Sequence, residues 1–330
     1  MTVEPGPLAT ATTAVERTYY GQPVIKAPHW RWLVIVYFFC GALAGGSFAI
    51  GAIADLSGRD QRTVRMARYL SLAALAPSPI LLTLDLGRPE RFLNMLRIVK
   101  LRSPMSLGSW ALFLLGPPCA LIAGLQLVRD LTGSAWPAAL QRGLSLAGLP
   151  VALFVAGYTG LLLAITNVPL WARNRLLMAP TFLTSAFSSS FAALSILLLI
   201  SGPTARVSPA PDRKRTAEDS LARGEMVSLA AELILLTAGI IRRGRLGKPL
   251  TTGRVGAIFW PVTYFGGIVI PLALHVVALV GKLELSRRWR LATALQVLAG
   301  AFTFRALMIF GGRESAKRPE DYFELTRTEV

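Results

Sequence analysis

The sequence predicts an all-α integral membrane protein with about eight transmembrane helices. Of its 330 residues, 53% are apolar and only 16% are charged, whereas soluble domains carry about 25% charged residues. A chain this apolar would expose too much hydrocarbon in water. Apolar runs recur along it, each close to the length of about 20 residues that a helix needs to cross a bilayer.

The predicted spans form one membrane domain over residues 32–312, between a polar N-terminal segment at 1–31 and a charged tail at 313–330. Prolines inside the second, third, fourth and seventh spans predict kinked helices that pack within a bundle. The longest connection, 202–221, is rich in proline and basic residues and is predicted to be a flexible linker. The eight predicted spans cover about 32–54, 67–86, 107–129, 142–166, 177–201, 222–241, 256–281 and 289–312.

The net charge of +17 lies mostly in short loops between apolar runs. Anionic lipid head groups and the positive-inside bias explain this placement, so we expect membrane lipid and no nucleic acid among the partners. A small excess of Lys and Arg on the side of the termini favours cytoplasmic termini.

The inventory of metal ligands limits the redox groups that the chain can hold. Two cysteines cannot supply the four thiolates of an iron–sulfur cluster. The two histidine ligands of a bis-histidine haem need similar depths in the membrane, whereas His29 and His275 lie at different depths. We therefore expect no cluster, no haem and no metal site in this chain.

Charged side chains at membrane depth are costly and are functional candidates by default. Asp85 closes the second span, Glu232 lies in the middle of the sixth and Arg305 lies deep in the eighth. They are the candidates for a proton pathway, although Glu232 and Arg305 would also make a purely structural buried pair. Asp55, near the end of the first span, is expected to extend toward the interface.

Several motifs occur in a characteristic order. DLGRPERF covers 85–92, SPMSLGSW covers 103–110, YYGQPVIKAPHW precedes the first span at 19–30, and YTGLL begins at Tyr158. This set closely resembles the NrfD/PsrC family of membrane subunits, which includes the polysulfide reductase membrane subunit. The resemblance extends over about residues 19–312.

The resemblance implies NrfD-like helix bundles in a prokaryotic inner membrane, with a quinone or menaquinone bound near one membrane face. It also implies partner subunits: a ferredoxin-like iron–sulfur subunit and a molybdopterin or hydrogenase-type catalytic subunit. The chain would then pass electrons between the partner's cluster and the quinone pool, with proton transfer as an accompanying role.

The family pattern implies two quinone contacts. His29 matches a family histidine at the start of the first helix, and Tyr158 matches a family tyrosine; each side chain can donate to one quinone carbonyl. Both have plainer interpretations, His29 as an interfacial anchor and Tyr158 as a packing residue. Some relatives carry an Asn four residues before the histidine, where this chain has Ile25, so one quinone hydrogen bond is expected to be missing.

The loop after the second span adds further candidates. Asp85 is expected to accept a hydrogen bond from Arg88 or Ser106, either to lock the loop or to contact the quinone. The same loop is basic, so it is expected to dock an acidic partner or simply to follow the positive-inside rule. Its docking candidates are Arg91, Arg97, Lys100 and Arg102.

Two other functions remain open at this stage. Kinked helices and buried charges also suit a secondary transporter. A membrane anchor without a quinone site is the second alternative, and it would leave His29 and Tyr158 freely replaceable.

Overall fold

A computed structural model describes residues 24–58, 61–97, 99–133, 138–201, 211–283 and 285–327. Every regular element in these ranges is helical. Eight helical segments there are long and apolar enough to cross a membrane, which confirms the predicted fold class.

Fourteen α-helices occur in the described ranges. A π-helical segment, Phe259–Val269, joins α11 to α12, and short 3-10 turns lie at Pro89–Arg91 and Gly244–Gly247. The α-helices are α1 (Trp32–Leu56), α2 (Gln61–Leu75), α3 (Pro77–Asp85), α4 (Phe92–Arg97), α5 (Pro104–Thr132), α6 (Ala138–Ala164), α7 (Pro169–Ala172), α8 (Arg175–Ile200), α9 (Pro211–Arg243), α10 (Lys248–Thr251), α11 (Gly253–Ile258), α12 (Ile270–Val280), α13 (Arg287–Ala316) and α14 (Pro319–Arg327).

The prolines act differently from span to span. Pro77 begins α3, so the second span divides into α2 and α3 at Ala76. In contrast, α5 continues through Pro117 and Pro118. The seventh span adopts π-helical geometry between its two α-helical parts, a conformation often found at functional positions.

Two connections are more helical than predicted. The interpretation of 202–221 as a flexible linker is wrong from residue 211 onward, because α9 begins at Pro211. Proline suits a first helical position, since its missing N–H would have no partner there. At the other end of the chain, α13 extends to Ala316 and α14 occupies half of the charged tail.

The first helix is the centre of the assembly, packing against α2, α6, α8 and α13. Its glycines allow the backbones to approach closely, as small residues do in membranes. A β-carbon at Gly45 would lie 2.5 Å from the Ala152 carbonyl oxygen of α6, and one at Gly46 would lie 2.8 Å from the Ala186 carbonyl oxygen of α8.

The contacts divide the spans into two groups. The first contains α1, α2, α3, α5 and α6, and the second contains α8, α9, α11, α12 and α13. Contacts of α1 and α6 with α8 join the groups. We call the face that holds 24–31, 86–103, 165–174, 244–252 and 317–327 the terminal face, and the other face, where α1 and α5 end, the opposite face.

Candidate functional site

His29 lies exposed at the terminal face, three residues before α1 begins. It lines an open cavity of about 920 Å³. The walls come from residues 26–31, from 249–255 around the start of α11, and from the end of α13. This volume lies within the range of small-molecule sites.

Positive charge dominates the walls of this cavity. The acidic side chain among the described lining residues is Glu314, and it pairs with Lys317 at 2.9 Å. The surplus cations create a positive potential beside His29, which attracts negative charge. The basic lining residues are Lys26, Arg31, Arg254, Arg313, Lys317 and Arg318.

Contacts from α7 and α13 fix the chain around His29. Arg313 donates from Nε to the Pro28 carbonyl at 3.3 Å and also donates to the Trp30 carbonyl. The Trp30 ring stacks on the Trp171 ring, with centroids 5.4 Å apart. Trp171 is fully buried, and its Nε1 donates to the Met308 carbonyl at 2.9 Å. These contacts therefore hold in place the segment that carries the His29 imidazole.

Tyr158 is buried on α6, at the first turn of α5. Its hydroxyl donates to the Pro104 carbonyl at 2.6 Å. Its ring packs over Gly108, where a β-carbon would lie 2.2 Å from the tyrosine Cζ. The SPMSLGSW motif and Tyr158 are thus one structural unit. Tyr158 is not among the described residues that line the His29 cavity, so the two predicted quinone contacts do not share that cavity.

Asp85 has a partner that differs from the expected ones. Its carboxylate lies beside Arg31 and accepts from the Arg31 backbone N–H, immediately before α1. A carboxylate at a helix N-terminus is stabilised by the free N–H groups there. The Ser106 hydroxyl accepts from the Lys100 N–H at 3.0 Å, and Arg88 is exposed, so the contacts predicted from Asp85 to these two residues stay predictions. The DLGRP loop is therefore tied to the start of the first span.

The four docking candidates Arg91, Arg97, Lys100 and Arg102 are exposed at the terminal face. Large apolar side chains are exposed among them, including Leu93 at 72% and Leu101 at 76%. Cations alternating with apolar side chains suit either a protein interface or the lipid interface.

Glu232 and Arg305 lie buried in the second group of helices. Glu232 accepts from the Ser188 hydroxyl at 2.7 Å, while Arg305 Nη1 donates to the Ser185 hydroxyl at 3.2 Å and to the Ala301 carbonyl at 2.8 Å. Serines of α8 therefore lie between Glu232 and Arg305. The two charges still interact electrostatically.

The Arg305 guanidinium is fully buried but only partly satisfied. Its Nε and Nη2 have no hydrogen-bond partner among the described residues. The Phe39 and Phe182 rings lie 6.0 and 5.8 Å from its central carbon and supply cation–π contacts. A buried cation held in this way is costly, which favours a role beyond packing.

Three buried ionisable positions were missed by the sequence reasoning. Glu225 lies 3.5 Å from His275, and Arg243 donates to the Leu170 carbonyl at 3.0 Å. Arg68 pairs with Asp55 at 2.9 Å. A sequence signal did exist for Glu225, because it lies seven residues before Glu232 and so shares its helix face.

The Arg68 pair belongs to a polar network at the opposite face. Arg68 also donates to Gln126 at 2.7 Å and to Gln141 at 3.0 Å, while Ser145 donates to Asp55 at 3.4 Å. The expectation that Asp55 extends to the interface is wrong, since the side chain is buried in this network. The network connects α1, α2, α5 and α6 and gives Asp55 and Arg68 a structural role.

Comparison with known proteins agrees with this architecture. The family described as "Polysulphide reductase, NrfD" matches residues 23–315. The chain belongs to the NrfD family. No curated protein matches the chain. NrfD proteins are integral membrane subunits of oxidoreductase complexes and partner with catalytic and iron–sulfur subunits. The chain is accordingly a multi-pass membrane protein, and the match covers both helix groups and the segment that carries His29.

Proposed function

We propose that this NrfD protein is the quinone-reactive membrane subunit of a multi-subunit oxidoreductase. It passes electrons between an iron–sulfur cluster of a ferredoxin-like partner and the quinone or menaquinone pool at the terminal face. A molybdopterin or hydrogenase-type subunit supplies the catalytic centre. The single observation that carries the proposal is the placement of His29, in a chain of this family, on the wall of a large basic cavity at the membrane edge.

The chemistry of the cavity suits a quinone. Reduction of a quinone takes two electrons and two protons and places negative charge on its two oxygens. The His29 imidazole supplies a hydrogen bond to one oxygen and can pass a proton to it. The surrounding arginines and lysines favour the developing negative charge, and Arg313 is held in place for this role by its bonds to the Pro28 and Trp30 carbonyls.

Tyr158 does not line this cavity, and we assign it a quinone contact from α6. Its hydroxyl binds the Pro104 carbonyl, so donation to a quinone requires exchange of that bond. Asp85, held by Arg31, orders the loop that carries Arg88 and leads to Ser106 in the first turn of α5, on the face that carries His29. We assign Glu232 and Arg305 to proton transfer within the second helix group.

The exposed loop at 86–103 is the proposed docking surface for the iron–sulfur subunit. Arg91, Arg97, Lys100 and Arg102 supply charge that steers an acidic partner, and Leu93 and Leu101 supply apolar contact. A docking site on the face that carries His29 keeps the cluster and the quinone on the same side of the membrane.

Purification of the tagged chain from its native membranes in mild detergent tests this proposal. Low-temperature electron paramagnetic resonance after reduction should show an iron–sulfur signal from co-purifying subunits, and a quinone analogue should alter turnover of the complex. A solitary chain without such a signal, under conditions that preserve assembly, would contradict the proposal and favour the transporter interpretation.

A further inference from the structure

Helix α9 carries acidic side chains at seven-residue intervals. Glu218, Glu225 and Glu232 lie on one side of the helix, about 10 Å apart along its axis at 1.5 Å per residue. Glu225 and Glu232 occupy a buried stripe where an ordinary membrane helix would place leucine. The series therefore leads from the opposite face into the membrane interior.

The outer part of this series lines a cavity of about 360 Å³ at the opposite face. The cavity lies between the ends of α8 and α12, residues Lys282, Leu283 and Leu285 of the following connection, the first half of α9 and the start of α13. Glu218 pairs with Arg290 at 2.5 Å on its wall. The charged and titratable lining residues are Glu218, Asp219, Arg223, Glu225, His275, Lys282 and Arg290.

A pair of titratable groups faces this cavity, the buried Glu225 and the half-buried His275. Glu225 is only 2% exposed, and its Oε1 lies 3.5 Å from His275 Nε2. Neither atom has a hydrogen-bond partner among the described residues. Buried polar atoms are normally satisfied, so this pair is poised to bind something that enters the cavity.

The polar series continues inward on the neighbouring helix. Ser195 of α8 lines the cavity, and Ser188, seven residues earlier, donates to Glu232. The helices α8 and α9 are packed antiparallel, so the serine series and the glutamate series proceed inward together. Beyond Glu232, Ser185 contacts Arg305.

We propose that this cavity is an aqueous proton inlet, in which the Glu225–His275 pair exchanges protons between water at the opposite face and Glu232. In each step one proton leaves a hydronium ion or a protonated side chain and joins the next acceptor, and no electron moves. The use of these protons in quinone chemistry rests on the function proposed above.

Water access is tested first, independently of quinone turnover. Cys40 and Cys119 are replaced by alanine in the full chain, and Ser195→Cys or Val277→Cys is then introduced. Native membranes are treated from either face with a membrane-impermeant thiol reagent. Val277 is the matched control, because it lies two residues from His275 on α12, is 57% exposed and is absent from the cavity lining.

We expect Ser195→Cys to react from the opposite face about tenfold or more faster than Val277→Cys, since the reactive thiolate forms only in water. Modification of Ser195→Cys from the terminal face alone, or no faster than Val277→Cys, would overturn the inlet. This measurement decides the proposal even when the wild-type complex shows no quinone turnover, a result that would count against the proposed function only.

Proton exchange is tested next in the intact complex reconstituted in vesicles. Glu225→Gln and His275→Gln should slow proton exchange at the opposite face by about 100-fold, a typical contribution of a general acid or base. Glu225→Asp should retain part of the rate because it keeps the carboxyl group. Glu320→Gln, on the terminal face, serves as the control, and rates in Glu225→Gln equal to those of this control would refute the relay.

Discussion

Tyr158 of α6 donates to the Pro104 carbonyl at the first turn of α5, and this one bond joins two motifs that are more than 50 residues apart in sequence. It also packs Tyr158, the proposed quinone contact, against the SPMSLGSW segment. The same side chain therefore has both a structural and a functional interpretation, which its variants can separate.

Tyr158→Phe removes the hydroxyl and leaves the ring. Loss of one hydrogen bond costs about 1 kcal/mol of stability, too little to unfold an eight-span protein. We expect an assembled complex with strongly reduced quinone-linked turnover, measured by quinol oxidation or quinone reduction. Unchanged turnover would remove Tyr158 from the quinone site and leave it as a packing residue.

Gly108→Ala tests the same contact from α5. The new β-carbon would lie 2.2 Å from the Tyr158 ring, so the ring must move, and we expect this shift to weaken its bond to Pro104. We expect turnover to fall as it does in Tyr158→Phe. Gly116→Ala is the matched control on the same helix, because a β-carbon there meets no atom within 4 Å. Equal turnover in the two alanine variants would show that the position of the Tyr158 ring does not matter.

Glu232→Gln keeps the shape of the side chain and its acceptor oxygen for Ser188. A proton pathway predicts slower turnover, by about 100-fold for a group that carries the proton, with normal assembly on size-exclusion chromatography. A structural role predicts wild-type turnover in any variant that assembles. The rate of the assembled variant therefore distinguishes the two interpretations.

Charge reversal tests the docking loop. Arg97→Glu with Lys100→Glu replaces attraction to an acidic partner by repulsion, so less iron–sulfur subunit should co-purify, most clearly at low salt where screening is weak. Arg288→Glu is a control, since Arg288 is exposed at the opposite face. Full recovery of the partner with the double variant would assign the loop to the lipid interface instead.

The number of spans and their approximate positions were predictable because about 20 apolar residues per span is a requirement of the bilayer itself. The break at Pro77 followed from proline chemistry in the same way. The linker interpretation was wrong from residue 211 onward, because proline and basic residues suggested flexibility, whereas Pro211 begins a helix whose charged first turns precede the membrane; residues 202–210 lie outside the described part of the chain.

The site was less predictable because partners depend on how helices pack. Nothing in the sequence near Asp85 indicates Arg31, which is more than 50 residues away and is brought near by the return of α3 to the terminal face. Sequence reasoning placed Glu232 beside Arg305, but the serines of α8 between them depend on helix rotation. The buried position of Glu225 could have been predicted from its seven-residue spacing to Glu232. Its pairing with His275 could not, because it depends on how α9 and α12 pack.

The most direct test of the central claim is electron transfer from quinol to the partner cluster in the intact complex. The complex is mixed with a reduced quinone analogue, and the iron–sulfur signal is followed by electron paramagnetic resonance in wild type and in His29→Ala. The account predicts that quinol reduces the wild-type cluster and that His29→Ala loses this reaction while dithionite still reduces its cluster. Equal reduction by quinol in both proteins would contradict the assignment of the quinone site to His29.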